Sequence, residues 1–96
     1  MDKQIRRIED MELAFNRAKS ALDKLESALG EYSAAADDIK KLSRYLNSSE
    51  RLLDLKADEA GKLPCDLHRG VLSEDGIWDL LEQNDRLIAE MKKICL

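Results

Sequence analysis

Residues 15–32 read FNRAKSALDKLESALGEY, and the spacing within them decides the fold. Phe15, Ala18, Leu22, Leu25, Leu29 and Tyr32 recur at alternating steps of three and four. At 3.6 residues per turn those steps bring the six side chains onto one narrow stripe of a helix. Nothing in the stretch opposes a helix: it has no proline and no β-branched run, and most of its residues are strong helix formers. Lys19, Asp23, Lys24 and Glu26 take the opposite face.

The same steps continue backwards through Ile5, Ile8 and Met11, and forwards through Ala36, Ile39, Leu42 and Leu46. Gly30 is the one weak point. It stands where a glycine closes a helix, and Ser33 is placed to cap a second one. Two readings follow: helices over 4–29 and 32–46 with a kink or interruption between them, which we favour, or one continuous helix. A single helix over 4–46 would reach about 65 Å, too far for the remaining segments to cover, and would demand a second chain.

Beyond Leu46 the signals are shorter. Asn47 and Glu50 have capping-box spacing and open a helix over 49–59, with Leu52, Leu53 and Leu55 as its apolar side. Gly61 ends that helix, and Leu63-Pro64 follows it. Residues 61–72 form a structured loop between Gly61 and Gly70, tied down by Leu63, Leu67, Val71 and Leu72. Ser73 caps a last helix over 74–94, lined by Ile77, Leu80, Leu81, Asn84, Leu87, Ile88, Met91 and Ile94. The expected fold is all-α, a small helical bundle or hairpin in a single domain spanning 1–96.

Composition narrows the function. The chain has 96 residues, 44% hydrophobic and 38% charged, with a net charge of −4. Its aromatic residues, Phe15, Tyr32, Tyr45 and Trp78, stand at core spacings, with Tyr45 and Trp78 partly exposed. So thin an aromatic supply makes self-association the natural supplement to the core. Acidic and basic residues balance up to Asn47, and the acidic excess lies mainly in 48–75. No basic stripe gathers phosphates, so nucleic acid is not an expected partner, and no polybasic anchor points to a membrane surface. The charged start MDKQIRRIEDME has no apolar signal-peptide core, and Cys65 and Cys95 form no disulfide framework. A cytoplasmic protein with reduced thiols is expected.

Three groups of residues invite a chemical reading. Asp54, Asp58, Glu59 and Asp66 are the densest acidic group, flanked by Tyr45 and Arg69. The plain reading is a solvated face beside Lys56, Lys62 and Arg69; the alternatives are a recognition surface, or acid–base work if burial drove two carboxylates to different pKa values. Asn84 interrupts the apolar stripe of the last helix, where a polar residue bonds to nearby backbone or the 61–72 loop, or else sets register or contacts a ligand. Cys65 and His68 have the look of half a metal site, but no second histidine completes it, and ordinary surface residues are the better reading. We expect no catalytic residue, no metal ligand and no cofactor.

From Lys56 to Asp75 the run KADEAGKLP, then Asp66-Leu67, then RGVLSED resembles the central signature of a small bacterial family catalogued as domain of unknown function 4298. The likeness extends more loosely to Tyr45, Ser48 and the Leu80–Asn84 segment. It implies a cytoplasmic helical protein and transfers no catalytic residue. Where Cys65 and His68 stand, the resemblance implies a basic or small residue and a lysine, which weakens any metal or nucleophile role further. The expected function is a non-enzymatic interaction or assembly module. It self-associates through the helical seam, as a dimer for preference, or binds another protein. The alternative is a small enzyme, or a ligand- or cation-binding protein, using the acidic corner.

Overall fold

A computed structural model describes residues 1–95. The fold is all-α, with a long helix α1 (Asp2–Leu46), a short helix α2 (Ser49–Glu59) and a loop that closes in a 3-10 turn (Gly70–Leu72). A carboxyl-terminal helix α3 (Gly76–Ile94) follows. Among the described residues no helix is long and apolar enough to cross a membrane.

The favoured interruption near Gly30 is corrected. α1 runs through residues 30–33 as one helix, and Ser33 is an interior position rather than a cap. Gly30 keeps a negative φ, so it does not adopt the left-handed conformation that would end the helix. A lone glycine costs a helix only about 1 kcal/mol relative to alanine, and the strong formers on both sides of Gly30 outweigh it.

The chain divides into two units, Met1–Ala36 and Asp37 onward. The first is helix alone, and every residue up to Ala34 is exposed. The second holds the end of α1, the loop and the other two helices, and Ile77, 3% exposed, is its buried centre. The end of α1 is half-buried at Ile39, Leu42 and Leu46, and Leu42 lines a groove with Ile77. Phe15 is not the core filler its spacing suggests, being 65% exposed, while Trp78, expected to be partly exposed, is 56% exposed.

The junctions are set by side-chain caps. Ser48, not Asn47, opens α2: its hydroxyl accepts from the Arg51 N–H at 3.2 Å and donates to the Tyr45 carbonyl at 2.7 Å. Asn47 instead donates back to the Ser43 carbonyl. α2 ends in a Schellman arrangement as Gly61 adopts φ 68°, with the Gly61 N–H on Asp58 and the Lys62 N–H on Ala57. Ser73 binds the start of α3, accepting from the Gly76 N–H at 3.1 Å while its hydroxyl donates to the Gly70 carbonyl at 2.7 Å. The helix proper begins at Gly76 rather than residue 74.

Two faces differ from expectation. α2 turns Leu52 and Leu53 outward, and the half-buried positions are Arg51, Asp54, Leu55, Ala57 and Asp58. On α3 the inner stripe is Ile77, Leu81, Asn84 and Ile88, while Leu80, Leu87, Met91 and Ile94 form an exposed neighbouring stripe.

The glycines give a test with opposite signs. A Cβ at Gly30 meets nothing within 4 Å, whereas one at Gly76 falls 2.5 Å from Ser73 Oγ and 2.6 Å from the Gly70 carbonyl oxygen. Gly30→Ala should therefore raise the helix's stability by about 0.5–1 kcal/mol. Gly76→Ala should lower that of the carboxyl-terminal unit by roughly 1–3 kcal/mol through overpacking. Denaturant titrations followed by circular dichroism measure both.

Candidate functional site

The acidic corner is built on one stripe of α2. Arg51, Asp54 and Asp58 are spaced three and four apart, so they project from the same face of the helix. Each reaches a different part of the fold. Arg51 donates through Nε to the Val71 carbonyl at 3.5 Å and through Nη2 to the Ser73 carbonyl at 3.3 Å. Asp54 accepts from the Tyr45 hydroxyl at 2.6 Å. Asp58 receives Arg69 Nη1 at 2.5 Å. The stripe therefore joins the end of α1, the loop and the 3-10 turn to a single helix.

This arrangement commits the polar groups to one another. The acidic pair, four residues apart on α2, does not stand as two bare carboxylates: Asp54 holds a phenol and Asp58 a guanidinium. Glu59 and Asp66 are exposed. The Tyr45 phenol is held above its ordinary value of 10.0, first by its hydrogen bond to Asp54, then by burial and by the carboxylate's charge, with Arg51 acting in the opposite sense.

Sequence reasoning placed Tyr45, Asp54, Asp58 and Arg69 together, and the structure does bring those four to one corner. It missed Arg51, whose stripe spacing with Asp54 and Asp58 was the available signal. It also missed the place of His68. That imidazole borders two shallow depressions, one with Tyr45, Asp54, Leu63 and Arg69, the other with Leu42, Gly70, Ile77 and Leu80. The first measures 250 Å³, under the roughly 300 Å³ at which small-molecule sites begin. The second is an apolar groove of 320 Å³ whose side chains, His68 apart, offer no polar group to orient a ligand. Asn84 lies half-buried on the inner stripe of α3. Both cysteines are free and exposed, and among the described residues no three His, Cys, Asp or Glu side chains gather as a metal-holding group.

These features define a helical domain whose loop is fastened by polar side chains of α2. The chain belongs to the family described as domain of unknown function DUF4298, whose model matches residues 8–94. No curated protein and no solved structure matches it.

The Tyr45–Asp54 bond is open to measurement. Since folding raises the phenol's pKa, the stability it contributes is present below pH 10 and is lost as pH rises through the folded value. Asp54→Asn should bring the Tyr45 phenol back toward 10.0 in an ultraviolet phenolate titration. Tyr45→Phe should cost about 1 kcal/mol at neutral pH and remove that part of the alkaline destabilisation.

Proposed function

We propose that this chain is a non-enzymatic interaction module that self-associates through the apolar seam of α1. The observation that carries the reading is the exposure of the seam. Ile5, Ile8, Met11, Phe15, Leu22, Leu25 and Leu29 are each between 47% and 65% exposed. Monomeric proteins seldom leave so continuous an apolar strip in water, and such strips mark interaction surfaces. Burying one such side chain fully is worth roughly 1.5–3 kcal/mol. About half of that gain remains to be made at each position, and summed over both copies it is comparable with the roughly 4–15 kcal/mol that association costs in lost freedom.

The acidic corner supports the same reading by what it lacks as a reactive site. Its two central carboxylates are bound to Tyr45 and Arg69, and the depression beside them is small. That corner is better explained as the fastening that holds the carboxyl-terminal unit together, leaving α1 to present its seam.

Sedimentation equilibrium at micromolar concentration tests the reading. The expected mass is twice the 10.9 kDa of the chain, and Leu22→Glu on the exposed seam should weaken association by tenfold or more without altering the carboxyl-terminal unit. A wild-type chain that stays monomeric through the micromolar range sinks the proposal.

A further inference from the structure

The exposed part of the seam carries two apolar rows with a seven-residue repeat. Ile8, Phe15, Leu22 and Leu29 form one row, and Met11, Ala18, Leu25 and Tyr32 the other. Two such rows are the pattern of a coiled coil. The structure limits how much of that pattern is open to another chain. Ile8, Phe15, Leu22 and Leu29 are about half exposed or more, whereas Ala36, Ile39, Leu42 and Leu46 further along are half-buried.

We propose that a second copy of this chain docks antiparallel along residues 8–25, with Phe15 of each copy seated over Ala18 of the other. The proposal rests on the self-association reading above and adds the direction and register of the pairing.

Size sets the direction. In a parallel pair in register each row residue meets its own copy, so Phe15 faces Phe15 and the next layer sets Ala18 against Ala18. A crowded layer then adjoins a hollow one, and close-packed interfaces penalise both. The antiparallel pair centred between Asn16 and Arg17 sets the ring of Phe15 against the methyl of Ala18 on both sides of the axis. Going outward, Met11 meets Leu22 and Ile8 meets Leu25, all of similar bulk.

Charge sets the register. Glu12 and Lys19 each directly follow a row residue, Met11 and Ala18, so they adjoin the rows rather than taking the opposite face expected of Lys19, and in this register Glu12 of each copy faces Lys19 of the other. Sliding one copy by seven residues one way sets Lys19 against Lys19 and Glu12 against Glu26. Sliding it seven the other way sets Glu12 against Glu12. Like charges beside a coiled-coil seam oppose pairing. Sliding by fourteen toward the carboxyl end restores opposite charges, Lys19 to Glu26, but requires Ile39 and Leu46, which are half-buried in the monomer. Within one chain Lys19 bonds Asp23 at 2.9 Å with both side chains more than half exposed, a surface contact weak enough for the lysine to turn across.

Disulfide trapping of the full-length chain tests this, in a background with the exposed Cys65 and Cys95 replaced by serine. Met11→Cys and Leu22→Cys variants are oxidised separately and as a mixture, then run on a non-reducing gel. A linked dimer that forms only in the mixture is the expected result. Linked dimers from each variant alone mean parallel pairing and overturn the proposal. No link in any combination, with sedimentation still showing a dimer, overturns the register. A monomer in sedimentation overturns the self-association reading itself. Charge exchange gives a second measurement should the cysteine variants pack poorly. Glu12→Lys should weaken the dimer at least several-fold, and the double variant Glu12→Lys with Lys19→Glu should restore it. Failure of the second exchange to restore it contradicts the facing of Glu12 and Lys19.

Discussion

The carboxyl-terminal unit depends on a polar stripe of three residues on α2. Arg51 holds the carbonyls of Val71 and Ser73, Asp54 the Tyr45 hydroxyl, and Asp58 the Arg69 guanidinium. Each such bond contributes on the order of 1 kcal/mol net, little beside a well-filled apolar core. Yet Ile77 is the one buried residue among those described. With so little apolar filling, directional contacts settle where the loop lies, and the loop in turn fixes where α3 begins. Ser73 joins the two, because its carbonyl is held by Arg51 and its hydroxyl by the first turn of α3.

The helices and the final loop could be read from the chain because their signals are local. The repeat from Phe15 to Tyr32, Gly61 at the end of α2 and the apolar periodicity after Ile77 each act within a few residues. The interruption at Gly30 was misread because a glycine marks a helix end only when its backbone turns left-handed, and sequence does not disclose φ. On α2 the leucines and the charged stripe compete for the inner face. Leu52 and Leu53 lost it because Arg51, Asp54 and Asp58 have partners to meet there. Those partners lie 9, 11 and 20 or more residues away, a distance over which periodicity carries no information. The acidic cluster was thus visible, while its occupation by Tyr45 and Arg69 was not.

The two units divide their work along the same line. From Asp37 onward the chain satisfies itself through caps, side-chain hydrogen bonds and one buried isoleucine. Up to Ala36 it is a helix with an exposed apolar stripe. Membership of the DUF4298 family covers both parts, since the match runs from residue 8 to residue 94. The run between Lys56 and Asp75 lies wholly in the fastened unit, where it makes the end of α2, the loop and the 3-10 turn.

The continuity of α1 also bears on how its exposed part stays helical. Starting a helix is the unfavourable step, by a factor on the order of a thousand, while each further residue extends it at little cost. Residues 37–46 are held within the carboxyl-terminal unit, so the first turns are already formed when the chain upstream of them is ordered. Extending the helix from those turns toward Met1 then needs no second nucleation step. The unit that carries no seam of its own thus serves as the template from which the seam is extended.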